Sequence, residues 1–409
     1  MATEVSSQPA RRAPRQSIGA LEWLRQNLFS SWLNGIITLV MLFLVYQVLS
    51  AFLTWLFTTQ GWAAALNNVR LISVGRYPAA EVWRVQVCVA LVAVLTGLSG
   101  GIWRGIPQAL ALSLGIALTV IGLLSFGFPN SATGGLPGWA FLFGSAICVG
   151  IGYAVGRGVG IRLRWPVLIG WLLLYPIAII FIRGFGPLPI VNTDLWGGLM
   201  LTMILAISGI VLSFPLGVLL ALGRRSKLPV IKGFCIAYIE LIRGVPLVTV
   251  LFMSAIMLPL FLPADVRVDA VVRAIVAVTL FSAAYLAENV RGGLQSIPNG
   301  QEEAARALGL NTFQTIILIT LPQALRAVIP VLVSQFISLF KDTSLVVIIG
   351  LIDLLGIAQS IITQPEWLGT PGGVWRETYF VIAMIYWIFS FTISRTSKQI
   401  EEQLNVAHR

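Results

Sequence analysis

The sequence predicts an all-α polytopic membrane protein with about ten transmembrane helices, and three observations carry that prediction. Of its 409 residues, 57% are hydrophobic and 11% charged, against roughly 25% charged in an ordinary soluble domain. Uncharged apolar runs long enough to cross a bilayer recur from residue 36 to residue 394. The basic residues, which give a formal net charge of +11, gather in short loops between those runs. There they report topology rather than affinity for nucleic acid.

Residues 1–30 carry Arg11, Arg12, Arg15 and Arg25 without an adjacent short apolar core or small-residue cleavage site, so they read as a cytoplasmic tail. Residues 31–190 hold five expected spans, at about 36–58, 85–103, 106–126, 138–156 and 167–185. Pro129, Gly134, Gly135, Pro137 and Gly138 divide the 52-residue uncharged stretch between Arg104 and Arg157 into two crossings. The breakers Gly184, Gly186, Pro187 and Pro189 mark a boundary near residue 190. Five further spans follow within 191–400, at about 195–222, 233–262, 270–290, 327–349 and 377–394, and residues 401–409 form a second tail.

Arg104, then Arg157, Arg162 and Arg164, then Arg224, Arg225, Lys227 and Lys232, and finally Arg395 and Lys398 occupy alternate loops. Those loops are therefore cytoplasmic, and an even number of spans puts both termini there too. Residues 59–84 are the exception, with Arg70, Arg76 and Arg84 on the outer side and only Glu81 to offset them. Cys88, Cys148 and Cys235 lie in apolar stretches without CxxC spacing, and read as small buried hydrophobes rather than a disulfide framework or a zinc site. Trp32, Trp103, Trp165 and Trp387 near span ends fit interfacial belts against lipid.

The polar stretch 291–326 interrupts the spans. Residues 301–308 are nearly all strong helix formers, Gly309 is a C-terminal stop, and Asn311 with Gln314 three residues on can cap a new helix. Two short helices joined at Gly309 are expected. On physical grounds alone the element is either a rigid docking device or a solvated surface loop.

Glu303, Ala304 and Ala305, three residues, Gly309, nine residues and then Ile319-Thr320-Leu321-Pro322 resemble the EAA signature of ABC importer permeases. The stretches ELIRGVP at 240–246, AENVRGG at 287–293, LPQALR at 321–326 and FKDTSL at 340–345 are similar to the polar amino acid subfamily, the histidine, glutamine and general amino acid permeases. The resemblance covers about 192–405. Before it, Tyr77, Pro78, Glu81, Trp83 and Arg84 are similar to the larger general amino acid permeases of bacteria. The resemblance implies a five-span permease core in the bacterial inner membrane. Its coupling helix, with Glu303, Ala304, Ala305, Arg306 and Gly309, would seat in a groove of a separate ATPase subunit. It also implies a second permease subunit of the same family in a heterodimer, and an extracytoplasmic amino acid-binding protein docking on outer loops near 263–269 and 362–376.

The four lysines are Lys227, Lys232, Lys341 and Lys398, and none follows a glycine or precedes Ser or Thr, so the phosphate-binding G-x-x-x-x-G-K-[ST] loop is missing. ATP and Mg²⁺ are thus expected on the partner ATPase, with no cofactor in this chain. His408 is the only histidine. No nucleophile–base pair or metal cluster can be assembled within the membrane, so a transport subunit is expected rather than an enzyme.

Ionisable residues inside spans cost a few kcal/mol or more and are functional candidates by default. Glu240 with Arg243, and Glu288 with Arg291, are i, i+3 spacings near cytoplasmic ends, expected to pair and to serve packing or hinging beside the Gly244 and Pro246 break. Asp342, expected near the middle of its span, shares a helical stripe with Gln335 and Ser338, while Lys341 points away. With Ser344 and Tyr285 these form the candidate substrate pathway, Asp342 accepting a substrate ammonium. The other reading pairs Asp342 with Lys341 or a neighbouring helix. By the resemblance, Gln335 stands where relatives handling cationic amino acids often carry an acid, which favours neutral or broad substrates. The function expected is the permease subunit of an ATP-driven amino acid importer. The alternative is a secondary amino acid transporter driven by an ion gradient.

Overall fold

Each expected apolar run is helical in the computed structural model, which describes residues 19–126, 136–263 and 265–406. The arginines at 11, 12 and 15, the breakers Pro129, Gly134 and Gly135, and His408 lie outside the described residues. Ala20–Asn27 (α1) and Trp32–Thr58 (α2) belong to one compact unit, residues 1–60; residues 61–409 form the other. Ser31 caps α2, its Oγ accepting from the Asn34 N–H at 3.2 Å.

In the second unit, residues expected as an outer loop instead fold into two short helices, Trp62–Asn67 (α3) and Val69–Val74 (α4). Four longer helices follow: Val82–Ile102 (α5), Ile106–Ser125 (α6), Gly138–Val159 (α7) and Arg164–Arg183 (α8). Their directions can be read from their contacts. At the start of α5, the Gln86 side chain exchanges hydrogen bonds with the Leu136 backbone at 2.9 and 3.0 Å, just before α7 begins. Further along, Gly97 and Gly101 of α5 lie against Val149 and Tyr153 of α7. The two helices are therefore parallel, and glycines at i, i+4 on both, Gly97 with Gly101 and Gly152 with Gly156, let the backbones touch. α8 runs the other way along α5: Trp171 Nε1 donates to Ser99 Oγ at 3.0 Å, and the Trp83 and Phe181 rings meet at 5.5 Å. The chain reverses at Gly160, where φ is +67°.

The remaining elements are Gly198–Arg224 (α9), Pro229–Arg243 (α10), Leu247–Phe252 (α11) continuing through a π-helical turn Met253–Met257 into Leu258–Phe261 (α12), and Ala270–Gln295 (α13). Then come Asn299–Ala307 (α14), Thr312–Gln314 (α15) with a π-helical turn Thr315–Thr320, Leu321–Asp342 (α16) with a 3₁₀ turn Thr343–Ile349, Leu354–Ile362 (α17) and Trp375–Val406 (α18). α9 and α13 are parallel and α16 antiparallel to them. Leu201, Leu205, Val278, Leu339 and Phe340 form one core, and Ala221, Leu286, Val290, Val328 and Leu332 a second toward the basic end of α9.

Eight helical stretches among the described residues are long and apolar enough to cross a membrane, and a bent pair supplies a ninth. One of the eight, Gly138–Arg183, is 46 residues long and contains both α7 and α8, whose opposite directions make it two crossings. The prediction of about ten therefore holds, with one correction. The expected crossing 233–262 is broken by 105° between Pro229–Arg243 and Leu247–Phe261, because Pro246 has no N–H to continue a helix and disfavours α geometry at Val245.

One of the three exceptional arginines of residues 59–84 has a physical explanation. Arg84 is fully buried, pairs with Glu81 at 2.7 Å, and donates to the Pro189 carbonyl at 2.9 Å. It serves packing and does not count as a loop charge.

Candidate functional site

α14 is a polar, largely exposed helix, unlike the spans around it. Ala305 is buried against the π-helical turn before α16, while Glu303, Ala304, Arg306 and Gly309 are exposed. Its end is closed by a Schellman pair: the Leu310 N–H donates to the Ala305 carbonyl at 3.1 Å and the Gly309 N–H to the Arg306 carbonyl at 2.9 Å, with Gly309 at φ +79°. Two residues later Asn311 and Gln314 form a reciprocal capping box at 2.9 and 3.0 Å. The helix that starts there is not a second short one: it runs through the π-helical turn into α16. Leu308 and Phe313, flanking Gly309, are 82% and 73% exposed.

The two expected i, i+3 pairs part company. Glu288 and Arg291 do pair, Arg291 Nε standing 3.0 Å from Glu288 Oε2. Glu240 does not bond Arg243; it pairs with Arg224 at 3.0 Å, and Arg243 reaches Glu288 at 3.8 Å with its guanidinium over the Tyr285 ring. Spacing along one helix names local partners only. Here the end of α9 brings in Arg224, which also lies 3.3 Å from Glu288. The neighbouring Arg225 pairs with Glu302 of α14 at 3.1 Å. In the sequence Arg224 and Arg225 had read only as topology charges, and Glu302 had no reading.

The candidate pathway residues do not gather at one point. Gln335 is tied to α13: its Nε2 donates to the Ser282 carbonyl at 2.9 Å and its Oε1 accepts from Asn289 Nδ2 at 2.6 Å. Ser338 is exposed one turn on. Asp342 is half-buried and is the last residue of α16, not mid-span; Lys341 is exposed and no salt bridge joins the two. Ser344 sits in the 3₁₀ turn beyond. Tyr285 lies on α13 beside Arg243. Thr202 Oγ1 accepts from the Leu354 N–H at 3.2 Å, and Ser208 donates to the Ile204 carbonyl at 2.6 Å and also bonds the Tyr175 hydroxyl on α8, so both act as interhelical glue. No group of three or more His, Cys, Asp or Glu able to hold a metal exists among the described residues.

Comparison with known proteins decides the family. A model of the binding-protein-dependent transport system inner membrane component matches residues 213–405. The inner membrane amino-acid ABC transporter permease protein YhdY of Escherichia coli K12 is 36% identical over 414 residues, 98% of this chain and 97% of that one. The chain belongs to the amino-acid ABC transporter permeases. The glutamate/glutamine/aspartate/asparagine transport system permease protein BztC of Rhodobacter capsulatus is likewise 36% identical to the permease, over 98% of it and 97% of BztC. The probable glutamine ABC transporter permease protein GlnP of Bacillus subtilis matches 51% of the permease at 37% identity, over 92% of its own length. A solved amino acid ABC transporter crystallised with histidines covers 50% of the permease at 30% identity and a TM-score of 0.45. The first half of the permease is thus shared with YhdY and BztC, whereas GlnP corresponds to about half of it.

Proposed function

We propose that this permease forms, with a second permease subunit, the translocation pathway of an ATP-driven amino acid importer and receives its ATPase subunits at α14. The observation that carries the reading is the construction of α14. Ala305 fixes the helix to the π-helical turn, Glu303 and Ala304 face away from the chain, and the Gly309 turn presents Leu308 and Phe313, two large apolar side chains on a polar element, uncovered by the chain itself. Exposed apolar anchors rimmed by polar residues suit a protein partner rather than water. ATP and Mg²⁺ belong to that partner, and both termini to the cytoplasmic side with α14.

Gln335, Ser338, Asp342, Ser344 and Tyr285 are the pathway residues in this reading, Asp342 offering the ammonium acceptor and Gln335 an uncharged amide. An amide there, and BztC as a relative named for acidic and amide amino acids, favour substrates without a cationic side chain. The outer loops 263–269 and 362–376 are the docking ground for an extracytoplasmic binding protein.

Reconstitution with the ATPases and binding protein tests the whole. Amino acid uptake into vesicles is expected to require ATP and to survive collapse of proton and sodium gradients, with competition strongest from glutamate, glutamine, aspartate and asparagine. Uptake that ignores ATP and follows an ion gradient sinks the proposal. Asp342→Asn is expected to impair uptake with ATPase binding intact; wild-type affinity and rate would assign Asp342 to packing.

A further inference from the structure

The last residue of α9, Arg224, and its C-cap, Arg225, divide between two neighbours. Arg224 Nη1 lies 3.0 Å from Glu240 Oε1 of α10 and 3.3 Å from Glu288 Oε2 of α13. Arg225 Nη2 lies 3.1 Å from Glu302 Oε1 of α14. Glu288 is held as well by Arg291 and by Arg243 at 3.8 Å, so the basic ends of α9, α10 and α13 converge on one carboxylate. α14 otherwise rests on the α16 side: Ala305 packs on the π-helical turn, and Gln323 Nε2 donates to Gln301 Oε1 at 3.3 Å. Glu302 is where it reaches across to α9.

We propose that Arg224 and Arg225 together form the joint through which displacement of α14 reaches the helix ends. Arg225 receives the displacement through Glu302. Arg224, the last residue of α9 and the chain neighbour of the C-cap Arg225, belongs to an ion-pair latch with Glu240 and Glu288 that holds α9, α10 and α13 together. Arg225 is joined to Arg224 by a planar peptide bond, and its N–H is tied back to the Leu222 carbonyl at 3.0 Å, so a pull on Arg225 is passed to the end of α9. Repacking of salt bridges between helix ends is one of the ways displacement passes between sites. The inference rests on α14 being the ATPase seat; neither arginine touches substrate in it, and both act as positioning residues.

The test uses the complete reconstituted complex and reads amino acids imported per ATP hydrolysed, with ATPase retention measured by co-purification. Arg225→Glu is expected to lower that ratio about tenfold or more, a coupling effect of ordinary size, while ATPases stay bound and hydrolyse ATP. The charge swap Arg225→Glu with Glu302→Arg is expected to restore most of the ratio, which a merely structural contribution from Arg225 would not require. Arg224→Gln is expected to leave hydrolysis running without binding protein. An unchanged ratio in Arg225→Glu, a swap that restores nothing, or loss of the ATPases from Arg225→Glu overturns the joint. A wild-type complex whose uptake ignores ATP sinks the importer reading as well, whereas a working wild type beside an Arg225→Glu variant of equal ratio sinks this inference alone.

Discussion

Asp353 shows how far a single residue can depart from what its sequence neighbours announce. It is fully buried beside the start of α9, its Oδ1 accepting from the Gly356 N–H at 3.0 Å as the N-cap of α17 and its Oδ2 from the Tyr386 hydroxyl at 3.2 Å. Burial outweighs these bonds and pushes the carboxyl up to about 6. Between about pH 4 and pH 6 the folded chain therefore keeps a proton that the unfolded chain releases, so the associated stability is complete below about pH 4 and lost as pH rises through about 6. Its size is on the order of 3 kcal/mol. The apparent melting temperature of the purified permease is expected to fall between about pH 4 and pH 6, and to fall less in Asp353→Asn, which keeps the cap without the charge. Asp353→Ala, which loses the cap and leaves the Tyr386 hydroxyl without this acceptor, is expected to cost about 1–3 kcal/mol at every pH. Identical pH slopes in wild type and the Asn variant would dismiss the assignment. Nothing in the sequence marks this residue, because it follows a long apolar run directly and its partner Tyr386 lies 33 positions away.

Helices and turns were legible where the signal is local. Gly309, Asn311 and Gln314 could be assigned their places in a stop and a cap because those bonds span three to five residues. The exchange of Glu240 from Arg243 to Arg224 could not be, and neither could the α5–α7 contact, since both depend on which helices become neighbours. Any L side chain at Gly309 pays for a positive φ by about 1–2 kcal/mol, even though a Cβ there meets open space. Gly309→Val, like Glu303→Lys, is expected to uncouple ATP hydrolysis from uptake with the spans still inserted; uptake unchanged in both would remove α14 from the coupling path. In the α5–α7 seam, a methyl group at Gly97 would overlap the Val149 carbonyl, whereas Gly150 on α7 has open space. Gly97→Ala is therefore expected to destabilise by about 1–3 kcal/mol, and Gly150→Ala to be neutral or to stabilise by up to about 1 kcal/mol. Thermal denaturation in detergent separates the two, and equal shifts would mean the seam tolerates separation.

Across the whole molecule, the composition and the alternating basic loops carried the architecture, since bilayer thickness and the distribution of Arg and Lys act on a chain before any tertiary contact forms. The core supplies an independent route to the same topology. α9 has 27 residues, about 40 Å at 1.5 Å per residue, and its two ends have different company. Gly198 at its start forms a parallel bridge with Asp353 just before α17, its N–H donating to the Ile352 carbonyl at 3.0 Å, so the loop after α17 shares that end. Arg224 at its finish meets Glu288, and Lys227 follows in an exposed turn. Lys227 and Gly369 therefore lie toward opposite ends of α9, and the positive-inside tendency predicts the basic end to face the cytoplasm. Both positions are exposed, and a side chain at Gly369 meets open space. With Cys88, Cys148 and Cys235 replaced, a membrane-impermeant maleimide added to spheroplasts is expected to modify Gly369→Cys at once and Lys227→Cys only after the membrane is opened. Labelling in the reverse order would invert the permease, put α14 on the side without ATP, and remove the physical basis for its coupling to an ATPase.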